Sequence, residues 1–446
     1  MDWKTLLSTK RLGMEEFHKK QEENRSEFQR DYDRLIFSTP FRRLQNKTQV
    51  FPLPGSIFVH NRLTHSLEVS SVGRSLGSDV AKAIIIREPE LQQTLLPEIG
   101  SIVSAACLAH DMGNPPFGHS GERAISSFFS EGSGLALKDK QLDGERLTES
   151  QWNDFIHFEG NANAFRLLSH QFKGRRKGGF AMTYTTLASI VKYPFSSKLA
   201  TKSKFGFFES EKETFIKIAA ELGMIRKKEE PLEYVRHPLV YLVEAADDIC
   251  YQLMDIEDAH KLKLLTTEET KELFMSYITP ERKTHIEKTM KIVTDINEQI
   301  AYLRSCVIGV LVKECVEVFL MHEKEILEGT FKSTLIKSMS SIPNDAYKHC
   351  EEVSLRKIYR SRDVLDIELA GFKVITTLLE LMIKAVSTPQ NAYSQLLINR
   401  VSSQYDINAP HLYERIQAVL DYISGMTDIF ALDLYRKING NSLPAV

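Results

Sequence analysis

The sequence predicts an all-α protein, a helical bundle with additional C-terminal helices and few or no strands. Three observations carry that expectation. Apolar residues recur at steps of three and four over long stretches, as in Ile286, Met290, Val293, Ile296, Ile300, Leu303 and Val307, marking one buried stripe of a long helix. Sustained alternation of apolar and polar residues, which half-buried strands require, is scarce. Neither GxGxxG nor GxxxxGK followed by Ser or Thr occurs, which argues against a Rossmann or P-loop nucleotide site.

The same reading places the elements in order. Segments 61–86, 101–110, 121–130, 238–260, 362–386 and 411–437 repeat the helical pattern. Breaks fall at 50–58 (VFPLPGSIF), 113–118 (GNPPFG), 131–153, 173–179 and 196–210, where Gly, Pro and polar residues cluster. The span 262–400 has helical pattern and no legible chemistry, and no internal repeat is apparent. With 446 residues, 42% of them hydrophobic, the chain has ample material for a large core. Its 57 basic and 59 acidic residues leave a net charge of −2, which argues against a protein whose main task is coating nucleic acid. Five widely spaced cysteines without CxxC argue against a disulfide framework and make a reducing, cytoplasmic compartment the expectation. The N-terminus lacks the apolar core of a signal peptide, and the longest charge-free apolar stretch, SCVIGVLV, is too short to cross a bilayer, so no membrane partner is expected.

The chemistry gathers at three places. His110 and Asp111 close the apolar run SIVSAACLAHD just before Gly-Asn-Pro-Pro, so two metal-competent side chains end a helix that otherwise demands burial. His65 lies in HNRLTHSLEVSSVG, on a helix whose apolar face includes Leu63, Leu67 and Val72. Asp247 and Asp248 interrupt the apolar helix YLVEAADDICYQLMDIEDA. Two imidazoles and two carboxylates from three helices form a mixed N/O set suited to a divalent ion (Mg, Mn, Co, Fe, Ni or Zn) with positions open to water or substrate. Each residue alone is more often an ordinary helix-surface group; three independent occurrences on apolar helices outweigh that reading. Two prolines further on, His119 and Glu122 stand three apart at a new helix start, where a carboxylate can hold an imidazole in one tautomer for acid–base work. The competing reading is an acid favouring a helix N-terminus.

The order H…HD…D with these flanks resembles the HD superfamily of metal-dependent phosphohydrolases. The longer strings RSEFQRDYDRLIFSTPFRRLQNKTQVF, NRLTHSLEVSSVGR, LAHDMGNPPFGHSGERAI, FEGNANAFRLL, VKYP and LVEAADDICYQLMDIEDA are similar to the dGTPase (deoxyguanosinetriphosphate triphosphohydrolase) family, and DYISGMTDIFALDLY is similar to that family's last helix. The resemblance runs from about residue 25 to 437, thinly over 262–400. It implies an HD-domain bundle with metal ligands His65, His110, Asp111 and Asp247. Asp247 is preferred to its neighbour because Tyr251 and Asp255 follow at i+4 and i+8 on one helix face, with Asp248 turned into a supporting hydrogen bond. It implies His119 and Glu122 beside the scissile α-phosphate, with His119 as nucleophile or as acid–base group left open and acid–base work with a metal-activated water preferred. It further implies sugar and base contacts from Gln49 and Val50 and nucleotide contacts from Tyr251 and Asp255, with Asn161 as a supporting candidate; Arg62, one turn before His65, and Lys192 offer cations to phosphate, with Tyr193 beside the second, against the reading of solvated surface cations. The family more often carries glutamine where Asn163 stands, which cautions against assuming guanine specificity.

The expected activity is hydrolysis of deoxynucleoside triphosphates to deoxynucleoside and inorganic triphosphate, with dNTP as the partner and homo-oligomers, hexamers by resemblance. Single-stranded nucleic acid and dNTP effectors are further candidate partners, the effectors by resemblance; the basic loop KGRRK at 173–177 reads instead as a solvated loop. A 5′-deoxynucleotidase of the same superfamily and a non-catalytic nucleotide-sensing or single-strand-binding protein are the alternatives. Residues 1–58 are expected to contribute to the substrate pocket, 59–262 to form the HD catalytic core and 263–446 to pack on it as a helical C-terminal region.

Overall fold

The computed structural model describes residues 1–16, 25–52, 58–139 and 146–442. Twenty α-helices, seven short 3-10 helices and one short antiparallel pair, Arg226–Lys228 with Glu233–Tyr234, make up its regular structure among the described residues, so the all-α expectation stands. Eight helices position the site. α1 (Arg62–Arg87) starts on a capping box in which the Asn61 side chain accepts the Thr64 N–H and Thr64 returns a bond to the Asn61 N–H. α2 (Ile99–Ala109) is buried at every position but Ser101, as its unbroken apolar sequence requires. α1 and α2 run against each other at glycine contacts: a Cβ at Gly77 would sit 3.0 Å from the Gly100 Cα. Pro115 and Pro116 prevent α2 from continuing, and the chain restarts as α3 (His119–Ser130). α4 (Gly160–Ser169) follows, capped by Glu159. α5 (Leu239–Lys261) crosses the α1–α2 pair and is buried over most of its length. α6 (Arg362–Ser387) lies along α3, with α7 (Leu412–Ser424) and α8 (Asp428–Ile438) beside it.

Buried apolar side chains fall into two clusters. One joins α1, α2 and α5 to the helix Ile296–Met321. The other joins α3 to α6, α7 and α8 through Phe128, Phe129 and Ile375.

Three expectations need correction. The 286–307 stripe belongs to two helices, Pro280–Ile292 and Ile296–Met321. Asp295 caps the second by accepting the Glu298 N–H at 3.0 Å, which puts Ile296 in an exposed first turn at 48% accessibility. The 411–437 helix is likewise the pair α7 and α8, because Thr427 caps α8 by accepting the Phe430 N–H. The 131–153 break contains the start of a helix, Glu149–Ile156, opened by a Thr148–Gln151 capping box. The proline-bearing stretch 53–57 of the first break, and 140–145, lie outside the described residues.

Candidate active site

The N-terminal half of α1, the end of α2 and the middle of α5 converge. His65 (buried on α1) brings its Nε2 to 3.1 Å from Asp247 Oδ1 on α5. His110, one residue past α2, directs Nδ1 at the Cys107 carbonyl at 2.6 Å, a position that needs a donor, so the neutral ring keeps its Nε2 lone pair for the site. That Nε2 is buried without a hydrogen-bond partner, 3.4 Å from Asp247 Oδ1 and 3.7 Å from Asp111 Oδ1. Ligand atoms of His65, His110 and Asp111 lie within 4.8 Å of one another. Burial opposes a charge on His110, yet Asp111 and Asp247 outweigh it and push the ring up to about 9. Asp247 is also opposed by burial but is drawn well below the usual carboxylate range by His110 and His65. The orphaned Nε2 and the two acids that favour positive charge beside it fit a divalent ion on this N/O set.

Asp111 is held from two sides. Arg62 Nη1 donates to Oδ2 at 2.8 Å, and Asn114 Nδ2 donates to Oδ1 at 2.5 Å. The Arg62 guanidinium lies where a Cβ at residue 118 would stand, and Gly118 has φ +56°, so both space and backbone require glycine there. At the start of α3, His119 Nδ1 meets Glu122 Oε2 at 2.8 Å, and Glu122 Oε1 accepts the Gly160 N–H at 2.8 Å. The His119 side chain is 66% accessible while Glu122 is buried. The hydrogen bond and charge of Glu122 raise the His119 pKa; burial would raise that of Glu122, but the bond to His119 draws it down.

These groups open on a cavity of about 340 Å³. Of the expected site residues, Gln49, Arg62, His110, Asp111, His119 and Glu122 line it, as do Asn161, Lys192, Tyr193, Asp247 and Tyr251. His65 sits behind Asp247. Val50 packs half-buried against the core, and Asp255, two turns beyond Asp247, is buried and accepts the Tyr359 hydroxyl at 2.6 Å; neither reaches the wall. Burial pushes the Asp255 carboxyl up to about 8. Asp248 lines the cavity too, and burial, with Asp247 and Glu244 adding to it against the pull of Lys192, pushes it up to about 7.

Four charged or amide residues of the wall were not singled out in the sequence. Lys204 donates to Glu159 at 2.7 Å, and Glu159 also takes the Asn161 side-chain amide at 2.7 Å while capping α4. Glu244 holds Lys192 at 3.1 Å with one oxygen and Arg236 at 3.1 Å with the other. Asn114 is the fourth. Glu159 and Asn114 stand inside FEGNAN and GNPPF, whose length and composition were the available signals; Lys204 lies in an aperiodic loop that carries none. Asn163 donates to the Gly113 carbonyl at 2.6 Å, bracing the loop between α2 and α3. The KGRRK loop is exposed, with Lys173 3.6 Å from Asp406. No helix among the described residues is long and apolar enough to cross a membrane.

An all-α bundle with two histidines and two aspartates at the junction of three helices is the arrangement expected of an HD-type hydrolase. The sequence model for the HD domain matches residues 62–193, and that for the phosphohydrolase-associated domain matches 338–437. The chain is 38% identical to a deoxyguanosinetriphosphate triphosphohydrolase-like protein of Synechocystis sp. over 99% of its length and all of the relative's, and 37% identical to one of Pseudomonas aeruginosa over the full length of both. It is 30% identical to the deoxyguanosinetriphosphate triphosphohydrolase of Yersinia enterocolitica, covering 92% of this chain and 93% of that one. The chain belongs to the dGTPase family of the HD-domain superfamily.

Proposed function

We infer that the protein hydrolyses deoxynucleoside triphosphates, dGTP among them, to deoxynucleoside and inorganic triphosphate with a divalent ion as cofactor. The observation that carries this reading is one cavity in which His110, Asp111 and Asp247, with His65 behind Asp247, the His119–Glu122 pair and three cations meet. The family and the names of its relatives support it. His65, His110, Asp111 and Asp247 would hold the ion, which when bound supplies Lewis-acid polarisation of a phosphate oxygen and of water. In the reaction a water oxygen bonds to the α-phosphorus, the bond from that phosphorus to O5′ breaks, and a proton passes to O5′. His119 is suited to give that proton: Glu122 holds its Nδ1 side and raises its pKa, which favours the protonated ring, and His119 lines the cavity. Arg62, Lys192 and Lys204 face the triphosphate as charge-assisted donors. Sugar and base are assigned to Gln49 and Tyr251 on the wall, with Val50 and Asp255 packed behind them.

Incubation with each of the four dNTPs and GTP in the presence of Mg, Mn or Co, with the products resolved, tests the reading. Intact triphosphate with deoxynucleoside is expected; orthophosphate in its place, or no turnover of any dNTP with any metal, refutes it.

A further inference from the structure

The loop between α2 and α3 must place Asn114 against Asp111 at one end and open on His119 at the other. Two residues before His119, Phe117 takes φ +61°, a left-handed conformation that a bulky residue enters only at a cost. The chain keeps it there because something outside the loop grips it. The Phe117 N–H donates to Asp428 Oδ1 at 2.9 Å. The other oxygen, Oδ2, accepts the N–H of Thr48 at 2.7 Å, and the next residue is Gln49 on the cavity wall. Asp428 opens α8 and is 7% accessible. Gly371 on α6 leaves room for the Phe117 side chain, which a Cβ there would strike. Lys47 ties the same parts together, donating from Nζ to the carbonyls of Asn114 at 2.6 Å and Ser424 at 2.8 Å.

We propose that Asp428 is a positioning residue of the active site, one carboxylate that sets the strained entry to His119 and the strand of chain carrying Gln49 in register with each other. The assignment rests on the hydrolytic reading of the cavity given above. It also assigns a task to the phosphohydrolase-associated segment, which reaches the catalytic loop through this side chain. An acidic residue in the first turn of α8 also favours the helix N-terminus, and glutamate would serve that end equally well. Only the short aspartate spans both amides.

Three variants separate the two roles. Asp428→Asn presents an amide donor to one of two backbone donors. Asp428→Glu keeps the charge at the helix start and displaces the oxygens. Thr427→Ala removes the α8 cap and leaves the carboxylate untouched. Both Asp428 variants are expected to lower kcat roughly 10- to 100-fold, the effect of displacing a reacting group by about 1 Å. Thr427→Ala is expected to lower the melting temperature with kcat retained. Hydrogen exchange provides a readout independent of catalysis: segments 47–49 and 113–118 should exchange faster in both Asp428 variants and not in Thr427→Ala. The proposal is overturned if either Asp428 variant keeps kcat within about threefold of the parent and its exchange pattern, or if Thr427→Ala reproduces their losses at the same drop in melting temperature. Faster exchange in the Asp428 variants of a protein that cleaves no dNTP upholds the clamp and removes the hydrolytic reading instead.

Discussion

Glu122→Gln tests the catalytic pair with little change of shape. Glu122 makes two bonds, one to the His119 ring and one from the Gly160 N–H, both at 2.8 Å. Glutamine can keep the second through its oxygen and must then turn its NH₂ toward His119 Nδ1. The ring loses the anion that favours its protonated form. A hydrogen bond to a charged group contributes ~1.5–3 kcal/mol, and because the His119 side chain is 66% accessible the lower end applies. At 1.36 kcal/mol per decade, kcat should fall roughly tenfold. The pH dependence has a definite sign. Glu122 raises the His119 pKa, so the protonated acid survives to higher pH in the parent than in the variant. The alkaline limb of kcat against pH should therefore move toward acid in Glu122→Gln. Metal content, measured by elemental analysis, should not change, since Glu122 is outside the ligand set. An alkaline limb that stays in place together with an unchanged kcat would refute the assignment of His119 as proton donor.

Other variants probe the remaining parts. His110→Ala removes the orphaned Nε2 and should abolish bound metal and activity together, with the helical circular dichroism retained. Lys192→Met leaves Glu244 still paired with Arg236, so the fold should tolerate it while KM for the triphosphate rises about tenfold from the loss of one charge-assisted bond. His237 is fully buried, its Nε2 facing the Leu6 carbonyl at 3.2 Å, and burial draws it down from the ordinary 6.5 to about 4. The unfolded chain therefore binds a proton that the folded chain refuses between those values, and stability is complete above 6.5 and declines as pH falls toward 4, by about 3 kcal/mol in all. Urea unfolding followed across that range should show a shallower decline in His237→Gln; an identical slope would count against this source of acid lability.

The candidate ligands were legible in the sequence because each interrupts or ends a strongly apolar helical run. A buried imidazole or carboxylate needs a partner, so His65, His110, Asp111 and Asp247 declare themselves once the helices are recognised. Local capping was harder to weigh against periodicity. The 286–307 stripe runs on in register, yet Asp295 ends one helix and starts another. Asp255 shows the limit of spacing arguments: it shares a helix face with Asp247, but two turns on that face meets Tyr359, from the turn after the helix Ser341–Lys357, and leaves the cavity. Lys204 could not be found at all, because its place depends on Glu159, 45 residues away across two helices, and the loop that carries Lys204 has no pattern.

Those unread pairings explain how a chain with a net charge of −2 can serve a substrate with roughly four negative charges. Each cation of the cavity rests on a buried acid: Arg62 on Asp111, Lys192 on Glu244, Lys204 on Glu159. An isolated buried cation would tend to shed its proton or swing into solvent. Paired, all three are held in place; Lys192 and Lys204 are raised above the ordinary lysine value by these carboxylates despite their burial. A lysine ammonium spends one of its three donors on such a partner and keeps two for phosphate. The acids therefore do not cancel the site's attraction for a polyphosphate. They set the cations at the cavity wall before substrate arrives, so binding need not order them, and the protein as a whole needs no excess of positive charge.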